Sequence, residues 1–294
     1  MALYSETNVG HMGKRLHVSK QDSTITGAKS VSYRIGENTV SQSTAFDDAE
    51  NGIAWDGKGV ITVKDVSLIE INVEGSVEIR FKGESAIEHI IHSDGGDLTL
   101  VGDECAPAAQ RPIVTIGLEA TGEGSDSWGY IASSKHDIDE KGQIVDSAYG
   151  NIVVKGLTVA FCSRLNAVEG QDVAIEKSKL GVDRAADAAL NIFANGKAEI
   201  AGSVVDTGTA IWNDSIGYVG YIYSTGLMTI EDSDVSVRPP EGWAETDGRA
   251  SMSVSSATDV KLIGMANGEI RQKDGYSYID TGDGDSVFLK VDGE

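Results

Sequence analysis

Only two cysteines, Cys105 and Cys162, occur in the 294 residues. Two are too few for a disulfide framework, and no CxxC pair or Cys/His cluster points to zinc. They read as small apolar residues of a core. Proline is nearly absent, at 4 residues, and aromatics make up only 6% of the chain. That depletion argues against a Pro-rich linker and against an aromatic-rich sandwich. No run of 18 apolar residues exists to span a membrane. The first twenty residues, MALYSETNVGHMGKRLHVSK, hold no apolar stretch of signal-peptide type. Gly10-His11-Met12 reads as a cloning remnant, which fits a chain trimmed of its export signal.

Basic residues are also scarce. Lys and Arg number 24 against 46 Asp and Glu, for a formal net charge of −22. Such a surface repels phosphate backbones and anionic headgroups, so neither nucleic acid nor membrane insertion is expected. It suits neutral sugars, cationic partners or Ca²⁺ held by carboxylates; it also keeps a long β surface soluble.

What the chain has in quantity is glycine, 35 residues, and aliphatic strand formers. A short unit recurs: IHSDGGDLTLVG (91–102), NAVEGQDVAIEKS (166–178), IFANGKAEIAGSV (192–204), IYSTGLMTIEDSDV (222–235) and VSSATDVKLIG (254–264). Each carries an apolar piece, a turn with a small residue, and an apolar-x-apolar strand. The strand pairs are Leu98/Leu100, Val173/Ile175, Ala198/Ile200, Met228/Ile230 and Val260/Leu262. Weaker copies sit at Ile61/Val63, Val77/Ile79, Ile152/Val154 and Val287/Leu289. Most intervals fall at roughly 20–30 residues, the coil length of a β solenoid. The 54 residues from Leu98 to Ile152 leave room for one more coil plus an insertion.

Alternation points every second side chain to one face, and one short strand cannot bury that face alone. Stacking equivalent strands turns the apolar positions into ladders along one core. The expected fold is therefore all-β: a parallel β-helix with loop excursions and capping ends. Residues 1–50 read as an N-terminal arm or cap with one strand near 29–35, and 51–294 as the solenoid with a C-terminal cap. Residues 183–190, DRAADAAL, are the best helical candidate, with a short turn equally open. Two stretches break the pattern, 103–149 and 238–250. RPIVTIG within the first reads as a strand; the remainder reads as a long excursion, a frequent place for function.

The unit in IYSTGLMTIEDSDVSV (222–237) resembles repeats of bacterial surface β-helix proteins, including carbohydrate-binding β-helix proteins and pectate-lyase-like solenoids. IHSDGGDLTLVG fits the same pattern, and the resemblance covers about 50–270. It implies a right-handed parallel β-helix, extracellular or cell-surface display, and binding of polysaccharide or a host surface. The fold hosts lyases, adhesins, tail spikes and pure binders, so it does not settle function.

The motif sets of solenoid hydrolases are missing. Asp47-Asp48 has no His motif following it. Asp183, Arg184 and Asp187 form the best lyase-like cluster, with a surface ion pair as the plain alternative. Asp280, Asp283 and Asp285 in DTGDGDS could ring a hard cation such as Ca²⁺, but EF-hand spacing is lacking and a solvated turn fits equally. His89 and His92, three apart on a strand, fall on opposite faces and do not make a joint metal site.

The aromatics are more informative. Trp128 and Tyr130 lie in the first excursion and Trp243 in the second. Trp212, Tyr221 and Tyr223 cluster nearby in sequence, the last two on one face by alternation. Their rings suit the apolar faces of sugars; covering the core is the alternative. The sequence thus favours a non-catalytic binding or adhesion module that recognises carbohydrate or a partner surface. A structural stalk or phage-type subunit is the second reading, and a polysaccharide lyase or glycosidase the third.

Overall fold

The computed structural model describes residues 52–117, 128–182, 188–212, 215–236 and 251–263, save positions 74 and 259, together with strands nearer both ends. Apart from one short 3-10 turn, Ala108–Gln110, the described elements are all strands. No helix among the described residues is long and apolar enough to cross a membrane.

The apolar-x-apolar strands pair as expected. Val60–Lys64, Val77–Lys82, Leu98–Val101, Ile152–Lys155, Val173–Glu176, Ala198–Ala201, Met228–Glu231 and Val260–Ile263 form one parallel ladder in chain order. Its register joins Ile61, Ile79, Leu100, Val154, Ile175, Ile200, Ile230 and Leu262 in one row. Between its rungs the chain adds strands to two further ladders. The second runs through Ile113–Ile116, Thr158–Phe161, Lys179–Val182, Val204–Asp206 and Asp234–Ser236. The third runs through Trp128–Ile138, Leu165–Gly170, Ala188–Ala194, Tyr221–Ser224 and Ser251–Ser256. Two early strands, Ser67–Val73 and Glu84–Ser93, are long enough to serve both.

Inward positions from all three ladders meet in a single apolar core. Ile175, Val168 and Leu180 are fully buried, one from each ladder. Burying each such side chain contributes roughly 1.5–3 kcal/mol, which lets strands of four residues hold together.

The corners explain why the turns of successive units look alike. After first-ladder strands the backbone enters the left-handed region at Asp65, Gly83, Gly156, Lys177, Gly202 and Asp232. Glycine reaches that region without strain, and the other three do so at a cost. Serine follows at the last three of these corners. The backbone N–H of Ser178 donates to Ser203 Oγ at 3.1 Å, and that of Ser203 to Ser233 Oγ at 3.2 Å. Each hydroxyl in turn donates to carbonyls of its own corner, Glu176, Ala201 and Glu231. A buried polar corner is thereby satisfied by its neighbour.

Antiparallel strands terminate the stacks. Phe46–Asp48 and Ile53–Trp55 close the first ladder at its start. Arg15–Ser19 adds parallel to Ser67–Val73 and is followed by antiparallel Thr24–Gly27 and Val31–Arg34. At the far end, Ser286–Val291 adds parallel to Ser251–Ser256 and carries antiparallel Tyr276–Asp280 and Glu269–Lys273. The arm at 1–50 thus contributes strands to the same sheets as the rest.

Five sequence expectations need correction. Leu98 pairs directly with Ile152, so the 54-residue interval holds no additional coil. It is one pass enlarged by insertions, among them the hairpin of Trp128–Ile138 with Ile144–Tyr149. Trp128 and Tyr130 therefore sit on a ladder strand and not in an excursion. That strand was hard to read because its inward positions include Gly129 and Ser133, with Ile131 the large apolar residue between them. Val287 and Leu289 belong to the third ladder, paired with Met252 and Val254. In DRAADAAL, Ala188–Leu190 are strand, buried against the core, and 183–187 lie outside the described residues. Both cysteines are free; Cys162 is buried as expected, and Cys105 is exposed.

Candidate functional site

The outer face of the third ladder gathers the unusual side chains. Its inward row is Ile131, Val168, Ile192 and Ile222, all fully buried. Alternation sends their neighbours outward. One outward row reads Tyr130, Ala167, Asn191, Tyr221. The row beside it reads Ala132, Glu169, Phe193, Tyr223. Four strands from widely separated parts of the chain so build one surface.

Aromatic rings occupy both ends of it. Trp128 lies two residues before Tyr130, and the rings stack with centroids 5.8 Å apart and planes within 9°. Trp128 remains 41% exposed, more than a covering residue needs. At the other end Phe193 and Tyr223 stack across neighbouring strands at 5.3 Å. Tyr221 is 37% exposed beside them. Between the ends the floor is low: Ala167 offers a methyl group, and Asn191 a short amide. Asn191 Oδ1 is buried and has no hydrogen-bond partner.

Charged groups line one flank. Burial pushes the Glu169 carboxyl above the usual carboxylate range, partly offset by the nearby imidazole of His136. The Tyr221 hydroxyl is raised by burial and by the charge of Glu169. His92, on the strand beyond Ala132, is lowered by burial, against the raising influence of its bond to Ser134 and of Asp94. Its Nε2 donates to the Ser134 carbonyl at 2.9 Å. The hairpin arm is tied down here as well. His136 Nδ1 meets Ser147 Oγ at 2.8 Å, its ring lies edge-on to Tyr149, and Lys135 pairs with Asp94 at 3.8 Å.

Among the described residues, the outer face of the first ladder lacks this equipment. A shallow hollow on the first ladder is lined by Ala54, Trp55, Asp56, Val60, Thr62 and Arg80. Its two charged side chains are already engaged. Asp56 accepts backbone N–H bonds from Lys58, Gly59 and Val60; burial raises its carboxyl, but those bonds outweigh it and hold the carboxyl low. Arg80 is paired with Glu78.

Of the aromatic residues singled out in the sequence, the fold brings Trp128, Tyr130, Tyr221 and Tyr223 onto one face. Trp212 ends the strand Gly208–Trp212, a hairpin partner of Ser215–Val219; its side chain, like all of Trp243, lies outside the described residues. Asp280 ends a strand, with its side chain outside the described residues, as are Asp283 and Asp285 entirely. Asp183, Arg184 and Asp187 fall outside them too. Among the described residues no three His, Cys, Asp or Glu side chains are gathered to hold a metal ion.

Sequence reasoning missed Glu169, Asn191, Phe193 and His136. The signal was present: aligning NAVEG, NIFAN and YIYS on their buried positions sets Glu169, Phe193 and Tyr223 in one column, and Ala167, Asn191 and Tyr221 in another. No protein-family model, curated protein or solved structure matches the chain.

Proposed function

We propose that the chain is a right-handed parallel β-helix whose third ladder binds carbohydrate on its outer face, as a recognition module without turnover. The β-helix reading is supported by three ladders filled in rotation around one core. Right-handedness follows from the general rule that crossovers between parallel strands of one sheet take that hand. Binding is carried by one observation: the pairs Trp128/Tyr130 and Phe193/Tyr223, with Tyr221, stand in strand register on one exposed face. Flat rings held by rigid strands offer stacking surface at small entropic cost. The stalk or filament reading draws less support, because antiparallel strands occupy both ends of the third ladder.

The test is affinity electrophoresis and calorimetry on a panel of soluble neutral, acidic and cationic polysaccharides. Wild-type protein binds at least one neutral polymer, and Trp128→Ala or Tyr221→Ala weakens binding about tenfold or more, a loss of ~1.4 kcal/mol, with an unchanged circular dichroism spectrum. Binding to none of the panel, or turnover of any member, overturns the reading.

A further inference from the structure

The hairpin arm is built unlike the ladders. Beyond Ser133 the strand Trp128–Ile138 leaves the stack and pairs with Ile144–Tyr149. Its base is fixed by the contacts of His92, His136 and Lys135. Farther out it stands in solvent. Ile144 and Val145 are 60% and 64% exposed, the two most exposed large hydrophobics among the described residues.

Register sorts the arm into two faces. Opposed residues of an antiparallel pair share a face, and successive residues alternate. Ile138 and Ile144 oppose each other on one face, with His136 opposite Ser147. Asp137 and Asp146 oppose each other on the other, and Val145 is the extra residue of the bulge between these pairs. Like charges directly opposite are destabilising. Lys135 shares the face of the aspartates but is drawn off to Asp94. Among the described residues neither Asp137 nor Asp146 has an ion-pair partner.

The arm also keeps an unpaired edge. Among the described residues no strand but Trp128–Ile138 pairs with Ile144–Tyr149. The Gly150 N–H donates inward, to the Ser133 carbonyl at 3.3 Å, so by alternation that of Ser147 turns outward. It donates to the carboxylate of the residue before it, Asp146 Oδ1, at 2.8 Å. An extended segment added along this edge lays its alternate side chains over the two faces. Above Ile144 and Val145 an aliphatic side chain is buried. Above Asp137 and Asp146 a cation relieves the repulsion between them. Carboxylates on an edge strand repel wrong partners as well. A second copy of a chain of net charge −22 is one of these.

We propose that the edge Ile144–Tyr149 takes an extended segment of a partner protein in which aliphatic and basic side chains alternate, added to the hairpin as a third strand. The stacked rings of the third ladder take no part in it.

The experiment titrates the full chain with three soluble peptides, built from repeats of Lys-Val, Glu-Val and Lys-Gly. The last keeps the charge without the strand preference. Calorimetry reads affinity, and hydrogen exchange locates the contact. The Lys-Val peptide binds wild type and slows exchange of the amides of 144–149. The Lys-Gly peptide binds at least tenfold more weakly, and the Glu-Val peptide does not bind. Asp137→Asn combined with Asp146→Asn weakens the Lys-Val peptide about tenfold. Glu199→Gln combined with Glu231→Gln removes two exposed charges from the first ladder, and leaves affinity within about twofold. Ser147→Pro removes the outward N–H and abolishes binding while the melting temperature is kept. The paired Asn variant, which relieves the opposed charges, decides the matter if Ser147→Pro loses the hairpin. Equal losses in the two double variants assign the attraction to overall charge and overturn the proposal. Full affinity of a folded Ser147→Pro, equal binding of the Glu-Val peptide, or protection confined to other segments overturns the added strand. Self-association in sedimentation that Ser147→Pro removes makes a second copy the occupant and overturns the partner proposed. Failure of the Lys-Val peptide to bind wild type overturns it outright.

Discussion

The first and third ladders share an interior and differ outside. Inward, both present stacked aliphatic rows, Ile175 and Ile200 in one and Val168 and Ile192 in the other, with essentially no exposure. Outward, the first ladder carries Thr99, Val153, Ala174, Glu199, Thr229 and Lys261 in register, short or charged side chains that fit a solvated sheet. The third carries Tyr130, Glu169, Asn191, Phe193, Tyr221 and Tyr223 in the same kind of position. The inner rows are set by packing, which any aliphatic stack satisfies. The outer rows are free of that demand, so an aromatic cluster there has another cause. Parallel strands in chain order make the two faces separable in sequence as well, since alternate residues serve alternate purposes.

The sharpest way to break the comparison is to damage both interiors equally. Ile200→Ala in the first ladder and Ile192→Ala in the third should each cost about 2–5 kcal/mol in denaturant unfolding. A loss under ~1 kcal/mol at Ile192 would mean that the third ladder is packed more loosely, and its outer face correspondingly less rigid. Next in size are the serine corners. Ser203→Ala removes the acceptor for the buried Ser178 N–H and the one hydroxyl donor that lies within reach of the Ala201 and Ile175 carbonyls. The expected cost is ~1–3 kcal/mol, with no change in binding on the third ladder.

Smaller and opposite in sign is relief of the left-handed corners. Lys177 has φ of 44° where the next equivalent corner is Gly202. Lys177→Gly should stabilise by about 0.5–1 kcal/mol, read as a rise in melting temperature. The last prediction concerns pH and separates the two faces directly. The folded-state pKa of Glu169 is raised, so the folded form binds its proton more readily and Glu169 destabilises once ionised. That penalty is present at neutral pH and fades as pH falls through the raised value. His92 is lowered, so its contribution is full at neutral pH and is lost as pH falls below its unfolded value. Glu169→Gln should therefore raise stability at pH 7 and leave a protein whose stability falls more steeply on acidification. A pH profile unchanged from wild type would show that Glu169 is solvated in solution.

The first ladder was largely legible in the sequence because its rungs are four-residue strands with two large aliphatics in fixed alternation. Leu98/Leu100, Val173/Ile175 and Met228/Ile230 announce themselves and pair in the expected register. The third ladder was harder. Its strand at Trp128 buries glycine and serine beside Ile131, so hydrophobic periodicity nearly vanishes there. The site was legible only in part for a different reason. Tyr221 and Tyr223 share a face within one strand, which alternation reveals. Glu169 and Asn191 join them only through pairing between strands, and local pattern holds no record of which strands will be neighbours.

One feature of the register bears on how such a protein changes over generations. Each pass of the chain adds a single rung to every ladder, so the separation of the two aromatic platforms is counted in whole rungs. Duplication or deletion of one pass between Leu165 and Tyr221 would move Tyr130 and Tyr221 apart or together by a step of about 4.8 Å, leaving both platforms intact. The spacing of the platforms, and on the proposed reading the length of ligand that spans them, would then evolve in discrete increments, like the teeth of a ruler, and independently of the chemistry at either end.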